Sequence, residues 1–486
     1  MVQLLPGKRS MTVDSSSTCD AVVVGSGPNG LAAAVTLARE GASVLVLEKH
    51  EKPGGGTRTT ELTLPGFKHD VCSAVHPMAM ASPFFKTIDW AKHGVDWKNA
   101  EVPLAHPLDA GEAAAMYRSV EKTAAGLGED GETYRRVFEP LTKIAGKLYD
   151  DLLGPFRIPR NPVEMTRFGL PALLPATTFA KRFKTDKGRA LFGGNAAHSI
   201  QQLENLTTSA IGIMLMVSGH AVDWPVPEGG SQSITRALLS ELESLGGEIE
   251  CGVEVQNFSE LPKSKAVLFD TSPSAMASIC GDKLPEGYRK RLGRYRHGPG
   301  IFKLDWALSE PIPWEAEACR KACTVHVGGT LEELAVSERD CWEGRHSENP
   351  FVLVAQQSLM DASRAPEGNH TGWAYMHVPS GSTRDMTEVI EKQIERFAPG
   401  FRDCILETHA MNCEDFERYN PYFIGGDIIC GVQDWRQLYT RPVARLNPYT
   451  TPAKDVFICS SATPPGGGVH GMCGYWAAKA AMKTLL

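Results

Sequence analysis

Several features are missing from this 486-residue sequence, and each absence closes off a class of function. The chain has 12 cysteines, at positions 19, 72, 251, 280, 319, 323, 341, 404, 413, 430, 459 and 473, yet no CxxC pair, so no disulfide relay is expected. Scattered in this way they read as small buried hydrophobes in a reducing compartment, and the cytoplasm is the expected location. No HxxxH, HxH or Cys/His cluster shows metal-ligand spacing, so no metal site is expected. Without a GxSxG elbow, nucleophilic hydrolysis has no support. Positive charge is not in excess either: 50 Lys+Arg against 57 Asp+Glu leave −7, which argues against nucleic acid as a partner. The nearest approach to a membrane span, Ala210 to Val217, falls far short of the roughly 18 apolar residues that a bilayer requires. The first residues, MVQLLPGKRSMTVDSSST, lack the apolar core of a signal peptide, and Met11 is a candidate start.

What is present is a composition that folds. With 42% hydrophobic and 22% charged residues, and 47 Gly and 32 Pro spread along the chain, the sequence is neither collagenous nor a disordered polyelectrolyte. Its length calls for more than one lobe. From Asp20 to Glu48 the order is a β-branched run (Ala21 to Val24), a glycine pattern, an alanine-rich helix pattern (Leu31 to Glu40) and a second run, Val44 to Leu47. This is the signature of a βαβ unit. Gly25, Gly27 and Gly30 supply GxGxxG: the first for the tight turn, the second for approach of a pyrophosphate, the third for helix–strand packing. Glu48 ends the second strand 18 residues after Gly30, where a carboxylate can accept both hydroxyls of an adenosine ribose.

A second glycine cluster follows within Lys49 to Arg58, and here the sequence resembles the FAD-binding amine oxidase and phytoene desaturase superfamily. The resemblance matches Gly54 and Gly55 to the family's Gly-Gly doublet, with Thr57 after it; Gly56 stands where many members have arginine, so the arginine role falls to Arg58. Near the other end, Val456 to Ser461 reads as a strand, Ala462 to Gly468 as a glycine-rich turn and Met472 to Met482 as a helix, a second phosphate-facing arrangement. That tail, Thr463 to Gly474, resembles the carotenoid desaturase version, which implies flavin contacts from Ser461, Gly467, Gly468, Val469 and His470. Between them Pro227 to Ser231 precedes an amphipathic helix with Ile234, Leu238, Leu242 and Leu245 on one face, then a strand from Glu248 to Val255, and Ala266 to Asp270 reads as a buried strand. By resemblance the main chain at Val255 touches adenine.

The expected fold is therefore α/β: a Rossmann-type FAD-binding domain of the glutathione-reductase-like class, built from residues 18–100, 225–275 and 440–486, interleaved with an α+β substrate-binding domain from 101–224 and 276–439. Segments 66–77, 224–231, 298–308 and 373–379 resemble the branch of phytoene-dehydrogenase-like oxidoreductases related to pyridine nucleotide-disulfide oxidoreductase domain-containing protein 2. No second GxGxxG-plus-acid unit marks an NAD(P)H domain. In the substrate lobe, Pro140 to Leu153 and Thr207 to Met216 read as helices, and Gly300 to Leu308 and Trp373 to Val378 as strands. The basic stretch Lys181 to Arg189 reads as a solvated face, with contact to anionic lipid as its alternative.

Hydride transfer to a flavin needs a positioned C–H bond and exclusion of water rather than a triad. By resemblance the segment His69 to Pro77 runs beside the flavin ring, which makes His76 a candidate acid or base. Lys303 is a second candidate, by analogy with lysines near the flavin of some amine oxidases. Trp373, Tyr375 and His377 alternate along one strand face, a wall suited to an apolar conjugated substrate, with His377 the third catalytic candidate. The expected activity is FAD-dependent dehydrogenation of a lipophilic, isoprenoid or polyene, small molecule, with oxygen or a quinone as electron acceptor. An amine-type oxidase, a redox-neutral flavin isomerase and a low-turnover binding or regulatory flavoprotein are the alternatives. Peripheral membrane contact and oligomerisation fit the same sequence.

Overall fold

A computed structural model of the protein describes residues 18–485; the signal-peptide and Met11 readings concern residues outside that range. Strands Thr18–Val24, Val44–Glu48, Glu248–Cys251, Lys263–Phe269 and Val456–Ile458 form one five-stranded sheet, with the first strand central. All its pairings are parallel, with Ala21 opposite Val44 and Val24 opposite both Leu47 and Phe269. Helices cover both faces, which is why the runs AVVV and VLVL are continuously apolar and wholly buried. Helix Pro28–Arg39 packs along the last helix, Met472–Leu485. A Cβ on Gly474 would fall on the carbonyl oxygen of Asn29, so the two ends of the chain interlock where only glycine fits.

The second sheet has seven strands in the order Ile405–Met411, Gly300–Leu308, His370–Val378, Val352–Ala355, Ala322–Val327, Val102–Pro107, Ala113–Met116. It is antiparallel except where Ala322–Val327 meets Val102–Pro107. The strand His370–Val378 divides its side chains between two cores. Trp373 and Tyr375 face the core shared with the nucleotide sheet, whereas Ala374, Met376 and Val378 join Phe302, Leu304 and Trp306 on the outer face. Helices between Gly131 and Val222 close the other side of the lobe.

Several expected elements differ in extent. The helix expected over Pro140 to Leu153 is two helices, Gly131–Lys143 and Ala145–Leu152, broken at Ile144. The apolar helix runs on from Thr208 to Val222. The strand expected to reach Val255 stops at Cys251, because Gly252 turns the chain with φ +76°, and Val456–Ile458 stops three residues before Ser461. Around Lys181–Arg189, Lys184 pairs with Glu129 at 3.5 Å, Lys187 pairs with Glu112 and Arg182 lies over Phe179. This is the solvated, internally paired face. No helix among the described residues is long and apolar enough to cross a membrane, and no cluster of metal-ligating side chains occurs among them.

Candidate active site

A single cavity of about 460 Å³ runs from the carboxyl ends of the nucleotide-sheet strands to the inner face of the larger sheet. Its first half is built by the two glycine motifs. Glu48 is buried and multiply held: Oε2 accepts from the Ser26 amide at 2.9 Å and from its hydroxyl, and Oε1 accepts from the His50 amide at 2.8 Å. Arg58 closes the set, 3.4 Å from Oε1, while its Nε donates to the Lys52 carbonyl and its guanidinium lies over Tyr419. The Gly54–Gly55 doublet docks on the first loop through a bond from the Gly54 amide to the Ser26 hydroxyl, and a Cβ on Gly55 would stand 3.0 Å from the Gly27 Cα.

Of the residues expected to bind the cofactor, Gly25, Gly27, Glu48, Gly55, Arg58, Val255, Ser461, Gly467, Gly468 and Val469 line the cavity. Gly30, Gly54, Thr57 and His470 do not. Thr57 bonds Gly54 O and Thr235 Oγ1, so it supports the doublet from behind. His470, expected beside the flavin, is turned inward: its Nδ1 accepts from the Met472 amide at 3.0 Å and its carbonyl accepts from Ser82. The role of Gly27 also changes. A Cβ there would stand 2.6 Å from Oδ2 of Asp270, a half-buried carboxyl at the cavity wall that accepts from the Gly30 amide at 2.8 Å. Burial, and then the charge of Glu48, push this carboxyl up to about 7. Sequence reasoning missed Asp270, although it directly follows its strand as Glu48 ends the strand on the other side of the central one. It also missed Arg441, wholly buried, which donates to Ser461 O and Ala462 O and so clamps the C-terminal turn.

Together these residues fit a flavin dinucleotide. Side-chain-free loops border the helix start, an acid ends the second strand, and the C-terminal glycines close the cavity from the opposite side.

The second half of the cavity is a chamber walled by Val75, Met78, Leu215, Trp224, Leu353, Trp373 and Tyr375. Trp373 is pinned by its indole N–H, which donates to Asp70 O at 2.8 Å, above a buried ion network of Arg364 with Asp70 and Asp361. His76 lines the chamber, with Nε2 2.8 Å from Ser231 Oγ, and burial pulls it down to about 4, so it is neutral near pH 7. The other two catalytic candidates lie elsewhere. Lys303 is fully buried outside the cavity and paired with Asp305, two residues along the same strand. Burial lowers the lysine, and although burial opposes ionisation of Asp305, Lys303, His409 and His69 hold that carboxyl below the usual range. His377 is on the same strand face as Trp373 and Tyr375 but bonds Glu338 at 2.7 Å and does not line the cavity. His198, not foreseen, does line the chamber.

Comparison with known proteins places these features in context. A family profile described as NAD(P)-binding Rossmann-like domain matches residues 23–86. Pyridine nucleotide-disulfide oxidoreductase domain-containing protein 2 of Rattus norvegicus is 24% identical, with 96% of this chain and 94% of that protein covered. A limonene dehydrogenase subunit from Castellaniella defragrans is 29% identical, with 96% and 95% covered. A solved structure of putrescine oxidase shares the fold, with a TM-score of 0.60 at 15% identity over 96% of this chain and 99% of that one.

Proposed function

The chain belongs to the FAD-dependent amine oxidase and phytoene desaturase-like superfamily, and on that premise we propose that it is an oxidoreductase that dehydrogenates a lipophilic small molecule. One observation carries the choice of substrate class. Every charged side chain that lines the cavity, Glu48, Lys49, Arg58, Glu254 and Asp270, belongs to the dinucleotide half. The chamber presents only apolar, aromatic and neutral polar groups. Its histidines are neutral, and burial pushes the Cys72 thiol up to about 12, so no ion there would welcome a charged substrate.

Glu48, Arg58, the Gly25–Gly27 and Gly54–Gly55 loops, Val255 and the Ser461–Val469 turn would hold FAD, which when bound supplies a two-electron hydride acceptor. The chain itself excludes water with Leu215, Trp224, Leu353 and Trp373 and fixes the apolar substrate against the rigid sheet. Reoxidation by oxygen or a quinone completes the proposed cycle. The free state of all described cysteines, ten of the twelve buried, supports a reducing compartment such as the cytoplasm.

A lipophilic substrate partitions into bilayers, and one face of the protein suits one. Phe156 is 80% exposed and Ile158 91%, and helix Pro162–Ala172 turns Val163 and Leu170 outward at a spacing of two turns. The Phe156 ring meets Tyr439 edge-on at 5.2 Å, which joins this patch to exposed Trp435 and Leu446. Exposed Arg160, Arg167, Arg436 and Arg445 lie in the same segments of a chain whose net charge is −7. We assign this face to peripheral contact with an anionic bilayer. The functional proposal is tested by extracting the freshly purified protein: released FAD together with an apolar copurifying molecule supports it, and a protein that takes up no FAD overturns it.

A further inference from the structure

The chamber wall carries a chain of three histidines that have no role in binding FAD or in excluding water. His198 at the chamber surface and His326 behind it share a hydrogen bond, Nε2 to Nε2, of 2.9 Å. Trp224 and Phe351 stand edge-on to both rings and seal them from the sides. His106 lies beyond, its Nε2 2.7 Å from the carbonyl oxygen of Gly329. The Nδ1 atoms of His326 and His106 are both buried without a partner, and both border the same small space over Gly194, 2.8 and 2.9 Å from where a Cβ on that residue would stand. Burial keeps all three rings neutral: His198 is pulled down to about 3, His106 to about 4 and His326 well below its ordinary value.

In a neutral ring one nitrogen donates and the other accepts, so a fixed partner at one end sets the direction of the whole chain. The Gly329 carbonyl can only accept, so His106 carries its proton on Nε2 and turns a lone pair toward Gly194. Electrostatics then favours an N–H rather than a second lone pair on Nδ1 of His326. That leaves Nε2 of His326 as acceptor, and His198 must donate to it from Nε2. The Nδ1 of His198, which has no protein partner among the described residues and is not enclosed as those of its two neighbours are, becomes a lone pair facing the chamber.

Building on the lipophilic-substrate reading, we propose that His198 is a substrate-contacting hydrogen-bond acceptor, so that the substrate is an otherwise apolar molecule bearing an O–H or N–H group rather than a pure hydrocarbon. His326 and His106 are positioning residues that hold the acceptor tautomer. An acceptor that a ligand covers and leaves unmatched weakens binding by roughly 1–3 kcal/mol, about 5- to 150-fold.

The test uses the FAD-loaded full chain with geraniol, geranylamine and geranyl methyl ether, and follows binding by quenching of tryptophan fluorescence. Wild type is expected to bind the alcohol or the amine at least about 5-fold more tightly than the ether, and the two donor arms separate hydroxyl from amine. His198→Phe should abolish the preference while keeping affinity for the ether. His106→Phe should erase most of it, because removal of the opposing lone pair lets His326 donate from Nε2 and turns Nδ1–H of His198 to the chamber, a donor that alcohol, amine and ether can all accept. Independently of any ligand, histidine ¹⁵N shifts should show Nε2–H at His198 and His106 and Nδ1–H at His326. An Nδ1–H signal at His198, or a preference unchanged in His198→Phe, overturns the proposal. If the three ligands bind equally, this inference fails and the lipophilic chamber stands; if none binds, both fail.

Discussion

Gly30 donates its amide to Oδ2 of Asp270 at 2.8 Å, which puts a half-buried carboxyl of the cavity wall at the start of the helix beneath the dinucleotide loop. With that carboxyl pushed up to about 7, the folded protein holds a proton that the unfolded chain has released above its ordinary value near 4. Between these values the folded state binds more protons, so stability falls as pH rises from about 4 to 7. Asp270→Asn should flatten this part of the stability profile, read by urea denaturation across that range. An added phosphate charge favours the neutral form further, so wild-type FAD affinity should also drop between pH 6 and 8 while the Asn variant stays level.

Glu48 gathers Ser26, His50 and Arg58 around one carboxylate. Glu48→Ala removes the ribose acceptor and unpairs the arginine, and FAD retention should fall at least tenfold, in line with roughly 1.5–3 kcal/mol for a charge-assisted hydrogen bond. Equilibrium dialysis checks this, and unchanged FAD occupancy would remove Glu48 from the binding role.

Lys303 and Asp305 separate a structural from a catalytic reading. Lys303→Met leaves Asp305 charged and without its lysine in the interior, which should destabilise the fold by about 3–5 kcal/mol. The double variant Lys303→Met/Asp305→Leu should recover most of that stability and keep FAD reduction. Recovered stability with lost reduction would return the lysine to the chemistry.

The apolar basic face predicts sedimentation with phosphatidylserine vesicles and not with phosphatidylcholine alone. The triple variant Phe156→Ser/Ile158→Ser/Leu170→Ser should lose that association without a fall in Tm, since all three side chains are exposed. Vesicle binding that survives the triple variant would place the contact elsewhere.

Close approach of the chain ends gives a further prediction. Gly474→Ala has no room against Asn29 O and should cost about 1–3 kcal/mol or more, with FAD content falling as the C-terminal turn shifts.

The parts of the site that were legible in the sequence are those whose signal is local. The βαβ unit announces itself because strand, turn, helix and terminal acid lie within thirty or so residues of one another. Trp373 and Tyr375 were placed on one wall by simple alternation. His377 shares that alternation but is diverted by Glu338, 39 residues away, and no periodicity carries such a pairing. Lys303 is different, since its partner Asp305 stands at i+2 on the same strand face and could have been read as a pair. Asp270 and His198 were missed because their significance arises from contacts 240 and 128 positions away. Loop ends such as Gly252, where a positive φ closes a strand, mark the limits of a reading based on hydrophobic runs.

Anaerobic titration of the FAD-loaded protein with isoprenoid alcohols, amines and hydrocarbons tests the central claim most directly. Stoichiometric bleaching of the flavin absorbance by a lipophilic compound, with the dehydrogenated product recovered, is the predicted result. Bleaching by dithionite alone across the whole panel would contradict it and leave a flavoprotein that binds without turning over.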